Sequence, residues 1–249
     1  MSEAFTTVGL RSFLSISLRS VSLAAKLERH QIIGLGPESK KVNTVSQKIE
    51  ILRGQNITLK ALSMEHTPGL AEAVQDGELW KRWYTKVPSP SEMETAVEER
   101  ISWYDSHGSQ LFTVFDSAGT TVGMTGYQAL DLDNRRAQIG YTWYRQSAQN
   151  TAVNADCKLT LMGHAFEQLD CLSVFFTTNS FNRESRRALE SLGAHLDGIL
   201  RGHQILDNGL VRDTCVYSVL RHEWPAVKNH LHYKIDLKSE KDKARGIDN

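Results

Sequence analysis

Apolar and polar positions change period several times along this chain, and each change marks an element. In residues 135–168, RRAQIGYTWYRQSAQNTAVNADCKLTLMGHAFEQ, Ile139, Tyr141 and Trp143 alternate against Gln138, Gly140 and Thr142, which predicts a strand. A polar connection, 145–150, follows. Val153, Cys157, Leu161, Ala165 and Leu169 then recur every four residues, with Met162 and Phe166 beside them. That spacing predicts a helix with one apolar face, and Thr151 is its N-cap or first-turn residue. A strand that runs through a polar turn into a helix aims several N–H groups at one spot. They lack partners inside the helix, and the helix dipole adds positive potential there. Such a turn can hold a phosphate, or it can be an ordinary strand-turn-helix connection.

The same reading covers the rest of the chain. Residues 56–62 alternate and predict a first strand. Residues 67–83 are helical in pattern, with Leu70, Val74 and Leu79 inward, and Trp80, Trp83 and Tyr84 add an aromatic density that either covers a core edge or walls a substrate pocket. Pro88 and Pro90 break the chain, and Ser91 with Glu94 reads as a capping box for a second helix to about Asp105. Strand signals at 111–115, 122–130 and 136–143, joined by the turn at 116–119 and the polar link 131–135, predict an antiparallel meander. After the central helix, 174–178 (VFFTT) is a short uncharged run that suits a buried strand, parallel to the one before the helix. Residues 182–194 place Ser185, Ala188, Leu189 and Leu192 on one helical face, with Gly193 as the residue after the C-cap. Residues 194–204 and 211–220 read as a closing hairpin, and a last helix starts at Trp224.

The two ends differ from this body. Residues 11–29 are rich in Ser, Leu and Arg with Glu28 as the lone acid. A loose tail, an amphipathic helix for a partner or membrane surface, and a mitochondrial transit peptide all suit that composition. Residues 31–46 read as a linker. Residues 235–249 are dense in Lys, Asp and Glu, which suits a frayed tail. The expected organisation is therefore an N-terminal extension over 1–48, one domain over 49–233 and a charged tail over 234–249.

Composition narrows the function classes. The 249 residues are 40% hydrophobic and 23% charged, enough for one sizeable core. Basic and acidic residues number 29 each, so no net charge drives nucleic-acid binding. No apolar run has the length of a membrane span. Cys157, Cys171 and Cys215 are odd in number and widely spaced, which speaks against a disulfide framework or a zinc site and for a reducing compartment. The expected location is cytoplasmic, or mitochondrial if the N-terminal stretch is a transit peptide.

The order of elements, with a phosphate-type turn after the third meander strand, resembles the GNAT acyltransferase superfamily. That superfamily marks the turn with Gln/Arg-x-x-Gly-x-Gly/Ala, and this chain has Gln149, Asn150, Thr151, Ala152, Val153 and Asn154 there. A second motif, Asn-x-x-Ser/Ala followed by a short helix ending Leu-Gly-Phe, corresponds to Asn182, Ser185, Ala188, Leu192, Gly193 and Ala194. The chain is most similar to the branch of bacterial ribosomal-protein N-terminal acetyltransferases, and the likeness runs from about Gln55 to Leu231. It implies a mixed α/β fold: a mostly antiparallel sheet of about seven strands, helices on both faces, splayed between the fourth and fifth strands. It implies acetyl-CoA as co-substrate, no metal, direct transfer of acetyl to a primary amine on a protein N-terminus or a small molecule, and a monomer or homodimer.

The resemblance also assigns roles. Residues 149–154 would hold the pyrophosphate, and a backbone N–H near Trp143 or Tyr144 would face the developing oxyanion. Asn182 would cap its helix and orient the pantetheine arm. Ser185 would serve the leaving thiolate, because the position where many members carry a Tyr is Leu189. Trp80, Trp83, Tyr84 and Gln138 would meet the acceptor. Two positions depart from the pattern. Ala152 and Asn154 replace loop glycines, and Gln138 replaces a Glu that acts as general base in many members. A carboxamide cannot take a proton. His66, Asp131 and Asp133 are the candidate replacements, while His164 and Glu167 read as structural. Gln138 also keeps open a second reading, an acyl-CoA-binding protein with little turnover that acts as a sensor or interaction module.

Overall fold

The structure is a computed structural model that describes residues 48–244. The basic stretch and linker expected before residue 48, and the last five residues of the expected tail, lie outside the described residues.

Eight strands form one sheet: β1 (Ile51–Arg53), β2 (Ile57–Ala61), β3 (Gln110–Asp116), β4 (Thr121–Asp131), β5 (Arg136–Tyr144), β6 (Ser173–Asn179), β7 (His195–Ile205) and β8 (Val211–Leu220). Their order is β1-β2-β3-β4-β5-β6-β8-β7. Every neighbouring pair is antiparallel except β5 and β6. The sequence pattern does not predict β1; it is three residues long, lies at the sheet edge and has no apolar alternation to announce it. Helices α1 (Thr67–Gln75) and α2 (Met93–His107) pack on one face through Leu70, Ala73, Val74, Met93 and Val97. Helices α3 (Val153–Gly163), α4 (Arg183–Leu192) and α5 (Trp224–Ala244) supply the core of the other face through Cys157, Leu161, Leu189, Leu231 and Ile235. No helix among the described residues is long and apolar enough to cross a membrane.

Several boundaries differ from the sequence reading. α1 ends at Gln75, not Trp83, because Gly77 (φ 96°) and Glu78 (φ 47°) turn left-handed. The capping box that opens α2 is Ser89 with Glu92, two residues earlier than Ser91 with Glu94. α5 runs to Ala244, past the boundary drawn at 234. Its second half is held by Ile235, which is buried in the core, and by Lys238, whose ammonium donates to the carbonyl of Thr151 at 2.9 Å. Charge density reported the wet face of this helix and hid its apolar one.

The alternation expected along β5 is broken. Ile139 faces the α3 side, but Trp143 faces the α1–α2 side. Two residues, Tyr141 and Thr142, oppose Thr125 alone, and Tyr141 has φ 51°. This is a β-bulge, and it swaps the faces of every later residue in the strand.

α3 is braced to the far edge of the sheet by Asp156, a fully buried carboxylate that accepts from the backbone N–H of Asn56 (2.6 Å) and Gln55 (3.1 Å). Removing it leaves two partly buried donors without partners. Asp156→Ala is expected to cost about 2–4 kcal/mol of unfolding free energy in a denaturant titration, from lost charged hydrogen bonds.

Candidate active site

Parallel strands β5 and β6 pair only at Arg136–Ser173, Ala137–Val174 and Gln138–Phe175. Beyond Gln138 the two strands separate, so residues 139–144 of β5 have no strand on that side. The bulge at Tyr141 disrupts the ladder to β4 on the other side as well. The result is a wedge between the C-terminal halves of β5 and β6. Among the buried side-chain polar atoms without a partner among the described residues are Trp143 Nε1 near the end of β5, on the α1–α2 side, and Asn179 Nδ2 at the end of β6. Buried polar groups are normally paired, so these two atoms make the diverging strand ends a candidate ligand site.

On the α3 side, residues 145–152 carry the chain from β5 into α3. Asp76 at the end of α1 fixes this loop by accepting from Arg145 Nε (3.1 Å), Ser147 N (3.1 Å) and Ser147 Oγ (2.6 Å). The Ser147 hydroxyl first, then its N–H and Arg145, hold the Asp76 carboxyl below the usual range. Gln149 Nε2 donates to the Tyr144 carbonyl at 2.9 Å and closes the loop on the strand end. Asn150 takes φ 63°, a conformation Asn tolerates. Ala152, not Thr151, is the N-cap; the Thr151 hydroxyl accepts from Val153 N at 3.3 Å and donates to Ala148 O at 2.7 Å. Val153 N is taken by the Thr151 hydroxyl, so the first-turn donors that remain are Asn154 and Ala155. Ala152 is 4% exposed and leaves no bulk over the turn. Lys238 adds a positive charge at this end that sequence reasoning missed.

The opposite face of the wedge is neutral and polar. Gln138 Nε2 donates to Gln128 Oε1 and to Thr177 Oγ1, each at 3.0 Å. A Cβ on Gly140 would meet Gln128 Oε1 at 2.3 Å, so glycine there keeps this trio intact. Tyr141 stacks at 4.9 Å on Trp103 with the Arg100 guanidinium 5.8 Å over its ring. Beyond β6, exposed Phe181 meets Trp83 at 5.5 Å, and Trp83 meets Tyr84 at 5.6 Å. Trp80 is not part of this cluster; it packs on the α1–α2 core.

Asn182 Oδ1 accepts from Ser185 N at 3.0 Å and caps α4 just after β6. The Ser185 hydroxyl makes no hydrogen bond among the described residues. The base candidates from sequence are elsewhere. His66 bonds Thr113 on β3, two strands from β5. Asp131 and Asp133 lie in or beside the β4–β5 turn, at the closed end, where Asp131 accepts from Asn134 and Arg136. His164 bonds Tyr127, and Glu167 accepts from Trp224 and Lys228, both structural.

One further residue enters the wedge. Lys158, on α3, is 5% exposed, donates to Thr142 Oγ1 at 3.0 Å and lies 5.8 Å from the Phe176 ring centre on β6. No carboxylate pairs with it among the described residues. Burial pushes its ammonium down to about 8. The signal in the sequence was a lysine four residues before Met162, inside the apolar face of the helix.

The acetyltransferase (GNAT) domain family matches residues 56–195. That is more than half of the chain, and the chain belongs to this family of N-acetyltransferases, which use acetyl-CoA. YdaF of Bacillus subtilis (strain 168), provisionally named a ribosomal N-acetyltransferase, is 28% identical over 180 residues, covering 70% of this chain and 96% of YdaF. A provisionally assigned acetyltransferase from T. thermophilus superposes with TM-score 0.67 at 27% identity, covering 76% of this chain and 98% of its own. RimL, a ribosomal L7/L12 α-N-protein acetyltransferase solved with coenzyme A, shares the fold at TM-score 0.58 and 21% identity over 69% of this chain and 98% of its own.

The buried ammonium makes a stability prediction. The folded pKa of Lys158 lies below its unfolded value of about 10.4, so the fold favours the neutral form. Its contribution is fully present above about pH 10.4 and is lost as pH falls through 8. Between those limits unfolding free energy should rise by about 3 kcal/mol relative to Lys158→Met, which lacks the group. At pH 7, Lys158→Met should be as stable as the parent or more so, as often when a buried charge is replaced by an apolar side chain of similar volume. Chemical denaturation of both proteins across pH 7–10 checks this.

Proposed function

We propose that this chain transfers the acetyl group of acetyl-CoA to a primary amine, and that the α-amino group of a polypeptide is the acceptor its open face fits best. The observation that carries the reading is the wedge: an anion-ready helix N-terminus opens on one side of it and a neutral polar trio on the other. Acetyl-CoA, when bound, supplies an activated acetyl thioester. The donors of Asn154 and Ala155, with Lys238 beside them, would hold its phosphates. Unpaired backbone of residues 139–144 would hold the extended arm as a missing strand would. Gln138, Gln128 and Thr177 offer donors and acceptors to a neutral amine and leave it uncharged. With a carboxamide at Gln138 the acceptor's proton goes to water. The exposed Trp83–Phe181 pair offers an apolar ledge at the wedge mouth, open enough for a chain to leave it. The names of YdaF, provisionally a ribosomal N-acetyltransferase, and of RimL, a ribosomal L7/L12 α-N-protein acetyltransferase, support a polypeptide acceptor.

Calorimetric titration with acetyl-CoA and with free CoA tests the binding half. Saturable binding near micromolar, about −8 kcal/mol, is expected; absence of binding to both overturns the reading. Peptides with free and with blocked N-termini, set against small amines, then test the acceptor. Turnover confined to small amines overturns the polypeptide assignment alone. Asn182→Ala should lose about 1 kcal/mol of stability with its cap and weaken CoA binding. Ser185→Ala should lower kcat about tenfold and leave the Kd for CoA unchanged. An unchanged kcat would leave Ser185 a surface serine of α4.

A further inference from the structure

We propose that Lys158 is the general acid of the reaction, giving its proton from Nζ to the departing sulfur of coenzyme A. The proposal rests on the acetyl-transfer reading above and adds to it the proton donor for the leaving group, with Ser185 left to hydrogen-bond the sulfur without giving up a proton.

The argument begins with sides. Ala137 and Ile139 of β5 and Val174 and Phe176 of β6 face α3, so Gln138 and Thr177 face away from it. The bulge brings Thr142 back to the α3 side, where its hydroxyl accepts from the Lys158 ammonium. The wedge therefore has two chemically different faces. Gln138, Gln128 and Thr177 line the face away from α3, where an acceptor would approach. Lys158, Thr142 and Phe176 line the face toward α3, whose N-terminus is the anion site. A co-substrate anchored at that N-terminus enters from the Lys158 side.

The second argument is cost. Lys158 is a buried cation that donates a single hydrogen bond, to the hydroxyl of Thr142, which also bonds Thr125 Oγ1 at 2.7 Å. A hydroxyl does not neutralise an ammonium, and a buried charge without a counter-charge is expensive. The titratable groups facing it do not help. Cys157, its neighbour on α3, is pushed up to about 12 by burial, and Tyr144 on β5, beside Cys157, is also raised by burial; both stay neutral. On β6 the ring of Phe176 lies 5.8 Å from it. Asp156, the adjacent acid, is turned to the backbone of Gln55 and Asn56. A site that keeps a cation under these conditions is matched to an anion that forms there, and a thiolate is such an anion.

The step balances. The acceptor nitrogen's lone pair forms the C–N bond as the C–S bond of the thioester breaks. Sulfur keeps that electron pair and takes a proton from Lys158 Nζ. The acylated nitrogen gives its surplus proton to water, and neutral Lys158 recovers one from water that enters once coenzyme A has left. The ammonium stabilises the charge that develops on sulfur, and the proton passes to it as coenzyme A leaves for water, where its thiol titrates at about 8.5.

The test reads the bound thiol directly. Free CoA is titrated on the protein by the far-ultraviolet absorption of the thiolate, with desulfo-CoA as blank. In the parent protein the bound thiol should titrate at least about one pH unit below free CoA, a factor of about 10. In Lys158→Met the shift should vanish while desulfo-CoA still binds, and kcat should fall about 10²-fold. Lys158→Arg, which keeps the charge but holds its proton, should retain the shift and not the turnover. An unshifted thiol in the parent, or a shift that survives in Lys158→Met, overturns the proposal while CoA binding leaves the acetyl-transfer reading standing. Full turnover in Lys158→Arg overturns proton donation. No CoA binding in the parent overturns both readings.

Discussion

Parallel strands stay together only while their backbones exchange hydrogen bonds, and β5 and β6 do so for three residues each. Everything distinctive about the site follows from that early stop. The strands diverge because each has better packing apart: the later part of β5 goes with the β4 meander, while β6 is paired along its whole length with β8. Two sub-sheets thus share a hinge of three residue pairs, and the core on the α3 side spans the gap. The unpaired backbone that results would be a defect in a closed sheet. On the proposed function it is a template for an extended ligand.

The site is asymmetric in charge, and the asymmetry is built from separate elements. One side receives helix α3 end-on, with the loop before it fixed by Asp76 of α1 and its carbonyl at Thr151 held by Lys238 of α5. The other side receives three neutral side chains from β4, β5 and β6 that bond only one another. Gln138 departs from the family's acid, but its amide nitrogen is employed: it holds Gln128 and Thr177 in place at the point where the sheet opens. On the proposed mechanism the acceptor's proton goes to water and the protein's acid serves the leaving group.

Much of this was legible in the sequence where local pattern and fold agreed. The meander, the central helix, the parallel strand after it and the Asn182 cap all lie where periodicity and turn chemistry put them. The misses have physical reasons. β1 is an edge strand too short to show a period. α1 ends early because Asp76 leaves the helix and Gly77 turns left-handed after it, a glycine stop that the apolar spacing continuing to Leu79 concealed. The bulge at Tyr141 is invisible because aromatic residues normally avoid positive φ, and it is held by the packing of Trp103 and Thr125 around it. Lys158 was passed over for the opposite reason: a lysine within an apolar stripe reads as a long stem reaching for water, and only the three-dimensional gap reveals that it reaches inward.

The bulge has a mechanical side. Residues of a regular strand that are four apart lie on the same face, yet Ile139 and Trp143 belong to opposite hydrophobic layers. β5 is thus clamped from below before the bulge and from above after it. It cannot slide by one residue without pulling anchors from both layers at once. The strand behaves as a bolt threaded through two plates, and the alignment of the gap beside it is as durable as the two cores together.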